Sequence, residues 1–211
     1  MGGAPSMPAC PEFNPNDRNT WALAHVFGLF KAYRKGHYDF GVHREAFGAI
    51  MKTAQPSATS IVDELWHIFD PSDSGIVNIL EVLVGLAMYA WAPSPHARSE
   101  LLFTVFDFNG NNEISRDEYI IMVQTTINAA VKIDGAGRIP DEQEVQALAQ
   151  SAFSAADSDG SGELTRAEFR DWVEQNVLVG NVLSAFGLLD RPLDSNDAAL
   201  VADTSTNAQS A

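Results

Sequence analysis

Asp157-Ser158-Asp159-Gly160-Ser161-Gly162-Glu163-Leu164-Thr165-Arg166-Ala167-Glu168 is the stretch that decides the fold. Side-chain oxygens stand at its first, third, fifth and ninth positions (Asp157, Asp159, Ser161, Thr165), and Glu168 stands at the twelfth. The seventh residue, Glu163, offers its backbone carbonyl. A hard cation takes about six to eight oxygens, which a loop with alternate residues turned inward can supply. Gly162 stands where the backbone bends sharply, a conformation that costs a residue without a Cβ nothing. The pattern fixes residue type at many positions together and implies a calcium loop between two helices.

Two more loops repeat the pattern upstream. Asp107-Phe108-Asn109-Gly110-Asn111-Asn112-Glu113-Ile114-Ser115-Arg116-Asp117-Glu118 has a suitable group at every ligand position: Asp107, Asn109, Asn111, Glu113, Ser115 and Glu118. Asn112 replaces the sixth-position glycine, and Asn tolerates the left-handed conformation better than most residues. Asp70-Pro71-Ser72-Asp73-Ser74-Gly75-Ile76-Val77-Asn78-Ile79-Leu80-Glu81 offers Asp70, Ser72, Ser74, the carbonyl of Ile76, Asn78 and Glu81. Only Asp70 and Glu81 bring charge to it, and its hydroxyls are weaker partners for a hard cation, so it is the weakest of the three. Its alternative is a structural hand without an ion.

A fourth unit lies nearest the start. Helical spacing runs from Thr20 to Phe30 and resumes around Ala46, Phe47 and Ile50, on either side of a loop whose eighth residue is Val42. Counting back makes Lys35 the first position and Ala46 the twelfth, so no carboxylate opens or closes this loop. It should hold no calcium. His37 and His43 are solvent-facing polar residues on this reading rather than ligands of a transition metal.

The chain is thus an internal repeat of EF-hands, four helix–loop–helix units with the first degenerate. The expected fold is all-α, with hands paired one–two and three–four. Short antiparallel bridges should join the eighth-position residues, Val42 with Val77 and Ile114 with Leu164. Ser94 and Pro95 start a helix, and Pro140, Asp141 and Glu142 suit a first helical turn. The expected division is a flexible leader (1–19), an N-terminal hand pair (20–92), a C-terminal hand pair with a short terminal helix (93–190) and a disordered tail (191–211). Val182 to Leu189 is either an internal plug for an apolar groove or ordinary core.

Composition narrows function. Of 211 residues, 45% are apolar, enough for a packed core. A formal charge of −15 argues against nucleic acid, which needs clustered Lys and Arg. Cys10 stands alone, so an internal disulfide is excluded. No apolar run approaches the roughly 18 residues of a membrane span. The start lacks the basic and apolar parts of a secretory signal, and the protein is expected to be cytoplasmic. Met1 to Ser6 fits the N-myristoylation pattern with Gly2 as acceptor, so membrane contact is expected only if Gly2 is acylated. Walker, nucleophile-elbow and zinc-protease motifs are missing, and Gly135-Ala136-Gly137 lacks the third glycine of a dinucleotide fingerprint. The chain is not expected to be an enzyme.

Three stretches carry a likeness to a known family: Gly75-Ile76-Val77-Asn78-Ile79-Leu80-Glu81, Val105-Phe106-Asp107-Phe108-Asn109-Gly110 and Leu183-Ser184-Ala185-Phe186-Gly187. With a dead first loop and a lengthened last connection, the chain resembles the neuronal calcium sensor and calcineurin B branch of EF-hand proteins, and within it the calaxin family. The resemblance implies a calcium sensor at a cilium or flagellum axoneme, acting on outer-arm dynein or its docking complex. Ca²⁺ is the expected cofactor, at two sites with a third weaker one. The expected partner surface is an amphipathic helix. The rival readings are a calcium buffer and a membrane-recruited or phosphatase-type sensor subunit.

Overall fold

The fold is described for residues 22–54, 59–90, 92, 95–134 and 138–175 of a computed structural model. The leader with Gly2 and Cys10, the segment Val182 to Leu189 and the tail lie outside the described residues. Among those described, the unit helix–strand–helix repeats four times. The first hand is α1 (Leu23–Lys35), β1 (Gly41–His43) and α2 (Arg44–Ala54); the second is α3 (Thr59–Phe69), β2 (Ile76–Asn78) and α4 (Ile79–Tyr89). The third is α5 (Pro95–Phe106), β3 (Glu113–Ser115) and α6 (Arg116–Asp134); the fourth is α7 (Glu142–Ala156), β4 (Glu163–Thr165) and α8 (Arg166–Gln175).

The strands join hands as their eighth positions require. Val42 pairs with Val77 and Ile114 with Leu164, both antiparallel. All four side chains are buried, so each bridge also seals the base of its pair. The protein is all-α apart from these ribbons.

Local chemistry explains the boundaries. Helix α5 begins at Pro95, whose missing N–H is no loss in a first turn. At α7, Asp141 caps the helix: its carboxylate accepts from the Glu144 amide at 2.9 Å, and Glu144 accepts from the Asp141 amide at 2.9 Å. Arg138 grips the same Glu144 with two nitrogens, each at 2.7 Å. That guanidinium, with the Asp141 amide, holds the Glu144 carboxyl down at about 2. Helix α1 runs further than its apolar spacing indicates, through Lys35. Nothing in this loop requires a carboxylate there to turn inward, and Arg34 and Lys35 suit the negative end of the helix.

The two hand pairs share one core. Helix α4 is buried at every position from Ile79 to Ala87, as expected of a helix that is apolar on all faces. Its chief neighbour is α6 of the other lobe, and α1 and α3 also pack on it. Gly85 sets how close α4 and α6 come. A Cβ built there would lie 2.7 Å from Ile133 Cδ1 and 2.8 Å from Phe69 Cζ, and the Phe69 ring is fully buried. From α5, Arg98 donates to the carbonyls of Ala87 and Ala90 at 2.8 and 2.9 Å, closing the end of α4.

Two outcomes test this account. Gly85→Val should cost about 2 kcal/mol in chemical denaturation, because overpacking against a fixed ring exceeds any gain in helix propensity. Glu144→Gln should lower stability at neutral pH. A depressed folded pKa stabilises above the ordinary value and loses that contribution as pH falls through the folded one. The gap to the parent protein should therefore close as pH drops from 4.5 towards about 2.

Candidate metal centre

Each complete loop is shaped by two left-handed residues, at its fourth and sixth positions. They are Asp73 and Gly75 (φ 54° and 78°), Gly110 and Asn112 (74° and 64°), and Gly160 and Gly162 (71° and 86°). Asn112 adopts the conformation expected of it. These bends aim successive amides at the first-position carboxylate. Asp157 accepts from the amides of Ser161 and Gly162, both at 3.0 Å. Asp107 accepts from those of Gly110 at 2.8 Å and Asn112 at 3.1 Å. Asp70 accepts from the Ser74 amide and hydroxyl and the Gly75 amide, each at 2.8 Å. Burial acts to raise the Asp70 carboxyl, but these bonds and the nearby Lys132 charge outweigh it and hold it below the usual carboxylate range.

The twelfth-position glutamate opens the exit helix, and in the third and fourth loops it folds back over its own loop. Glu118 accepts from the Phe108 amide at 3.0 Å, and from the Ser115 amide and hydroxyl at 2.9 and 2.8 Å. Glu168 accepts from the Ser158 amide and hydroxyl at 3.1 and 2.8 Å. It also takes the Thr165 amide and hydroxyl at 3.0 and 2.8 Å. Burial pushes the Glu168 carboxyl up, yet these four donors outweigh it and bring it down to about 2. It therefore stays charged across the physiological range.

Oxygens of Asp157, Asp159 and Glu168 all lie within 4.8 Å of one another. Three carboxylates this close repel one another unless a cation sits among them, and an all-oxygen shell suits a hard one. Ser161 donates to the Glu163 carbonyl at 2.9 Å, placing fifth and seventh positions together. In the third loop, Asn109 and Asn111 accept from the amides of Asn111 and Glu113, at 2.8 and 3.0 Å. The seventh-position side chains of the two loops meet across the ribbon: the hydrogen bond that a protonated Glu113 donates to the Glu163 carboxylate, together with the negative charge of Glu163, pushes the Glu113 carboxyl up. Both loops fit calcium, the cation that EF-hand domains bind.

The second loop differs at its closing residue. Its seventh carbonyl is in place, accepting from the Ser74 hydroxyl at 3.1 Å. Glu81, however, accepts from Lys132 Nζ at 2.7 Å and Asn128 Nδ2 at 3.0 Å, both on α6 of the other lobe. Of the anchors that seat both Glu118 and Glu168, the second-position amide and the ninth-position hydroxyl have no counterpart here. Pro71 occupies the second position and has no N–H to give. Asn78, at the ninth, offers its oxygen to the Leu80 amide at 3.0 Å. Sequence reading passed over Lys132 and Asn128, which are remote along the chain, but Pro71 carried a readable signal. In the first loop, His43 Nδ1 lies 3.0 Å from the Gly75 carbonyl, a partner within the hand pair.

Comparison with known proteins agrees with this geometry. A family model described as EF hand matches residues 148–173, and one described as EF-hand domain pair matches residues 77–126. Human (Homo sapiens) calaxin is 30% identical over 179 residues, covering 84% of this chain and 80% of that protein. The calcineurin B subunit of Candida glabrata is 23% identical over 118 residues, covering 56% of this chain and 62% of that protein. Guanylyl cyclase-activating protein 1 of Lithobates pipiens is 23% identical over 141 residues, covering 67% and 64%. No helix among the described residues is long and apolar enough to cross a membrane.

The left-handed sixth position gives a direct check. Asn112→Val should cost about 1–2 kcal/mol, the penalty for a Cβ-branched residue at this φ, while Asn112→Gly should keep full stability; thermal melts of both variants in chelator decide.

Proposed function

The chain belongs to the EF-hand calcium-binding proteins of the calcineurin B and neuronal calcium sensor branch that includes calaxin, and from this premise we propose that it is a calcium sensor acting through a protein partner. The proposed ligands of the C-terminal pair are Asp107, Asn109, Asn111, Glu113, Ser115 and Glu118, with Asp157, Asp159, Ser161, Glu163, Thr165 and Glu168. Glu113 and Glu163 serve through their carbonyls. Asp70, Ser72, Ser74, Ile76, Asn78 and Glu81 are proposed as a third set that is incomplete in this conformation. We place the boundary between the lobes in the Pro93–Pro95 link.

One observation carries the reading: in both hands of one ribbon-joined pair, the closing carboxylate sits in the first turn of the exit helix and bonds back to the loop. A bound calcium ion neutralises the carboxylates that converge in each loop. Glu118 and Glu168 are then the residues that transmit occupancy. Reseating of their carboxylates is the proposed step that turns α6 and α8, since each glutamate stands in the first turn of its exit helix. The Ile114–Leu164 bridge obliges the two loops to adjust together. The proposed output is a change of binding surface.

Two of the relatives bear names that describe action through another polypeptide, a subunit of calcineurin and an activator of guanylyl cyclase. The partner we propose is an amphipathic helix of an outer-arm dynein or docking-complex subunit, which the calaxin resemblance implies. Placement at an axoneme is part of the same proposal.

Calorimetric calcium titration tests it. Glu118→Gln and Glu168→Gln should each remove one tight site, weakening it by at least about tenfold, since each loses a charged ligand. The wild type, unlike either variant, should take up a dynein-derived amphipathic peptide at calcium levels that fill both loops. Variants that bind as many ions as tightly as the wild type would overturn the reading.

A further inference from the structure

The second hand already has a cation. Lys132 Nζ sits between the carbonyl of Phe69, the last residue of α3, at 2.8 Å and Glu81 Oε2 at 2.7 Å. The ammonium thus meets both ends of the Asp70 loop, the residue just before it and its closing carboxylate. Its charge also reaches Asp70. The pair is enclosed: the Glu81 side chain is 6% exposed and that of Lys132 23%. Asn128, one helical turn earlier on α6, takes the other Glu81 oxygen. Both carboxylate oxygens are therefore engaged by the opposite lobe, and none of the Glu81 hydrogen bonds among the described residues is to its own loop.

We propose that Lys132 is the resident cation of the second hand, holding Glu81 off the Asp70 loop so that calcium in that loop and docking of α4 on α6 exclude each other. The proposal rests on the sensor reading only in naming calcium as the competing ion. Three features support it independently. Pro71 and Asn78 deprive Glu81 of the second-position amide and the ninth-position hydroxyl that its counterparts use, so the carboxylate has a reason to leave. Lys132 supplies charge, a hydrogen bond and proximity to a helix C-terminus together, the environment that an ammonium favours. Glu81 lies in the first turn of α4, whose packing on α6 is fitted closely at Gly85, so moving its carboxylate back over the loop must disturb the seam between lobes. Lys132 and Asn128 act here as positioning residues, through Glu81.

The test uses the full-length chain with Lys132→Met and Pro71→Ala, titrated with calcium by calorimetry alongside the wild type. Lys132→Met removes the competitor. Pro71→Ala restores the second-position amide on an exposed residue, so a folding defect in the first variant leaves the second informative. Each should gain a third site at least about tenfold tighter than any third site of the wild type. Glu81→Gln in the same background should abolish it. Amide hydrogen exchange in α4 and α6 of Pro71→Ala should then quicken at least about tenfold when the third site fills. Unchanged stoichiometry and affinity in both variants would overturn the proposal, whether the wild type holds two ions or three. A third site that fills with no change in exchange would overturn the exclusion between ion and docking. Failure of the sensor reading looks different: the wild type then binds no calcium at Glu118 or Glu168, and a site gained at Glu81 would still support Lys132 as the resident cation of the second hand.

Discussion

A carboxylate that begins a helix beside a tight loop must find hydrogen-bond donors, and where it finds them fixes what the hand can do. Glu118 and Glu168 find theirs inside the loop, on the second- and ninth-position residues. Glu81 finds its donors on a helix of the other lobe. The difference needs no large rearrangement. It follows from one proline, one asparagine and the reach of one lysine. Leaving a nearly buried carboxylate without any donor would cost several kcal/mol, so each glutamate must commit to one set or the other.

The same constraint ties the hands to the core. Because Glu81 anchors α4 to α6, and Gly85 lets those helices approach closely, the lobes are not beads on a string. Even the degenerate first hand takes part. Its Val42 completes the ribbon with Val77, and its Phe40 ring lies 5.3 Å from Phe108 of the third loop. A hand that has lost its ligands still supplies the half-ribbon that its neighbour cannot do without.

Much of this was legible in the residues. The twelve-position pattern located the three ligand-bearing loops, eighth positions named both ribbon pairs, and Asn112 announced its left-handed backbone. The extent of α1 was not legible, because a loop without ligands places no demand on where its entering helix stops. Lobe docking was harder still. An apolar run such as Val82 to Ala87 says that a helix is surrounded, not by which partner. The Lys132–Glu81 pair joins residues far apart in sequence, and no local period could bring them together. Its one local trace was Pro71, a residue that withholds an amide where a calcium loop uses one.

A shared core has a bearing on heat as well as on ions. Two lobes that bury α4 between them should lose structure in one transition, and any ion held by Asp157 or Asp107 in the native state alone adds its binding free energy to that single transition. The first hand, whose loop has no carboxylate at its first or twelfth position, would then melt at a temperature set by ions in the other hands. Its thermal resistance is borrowed, through a glycine and a lysine, from the far end of the molecule.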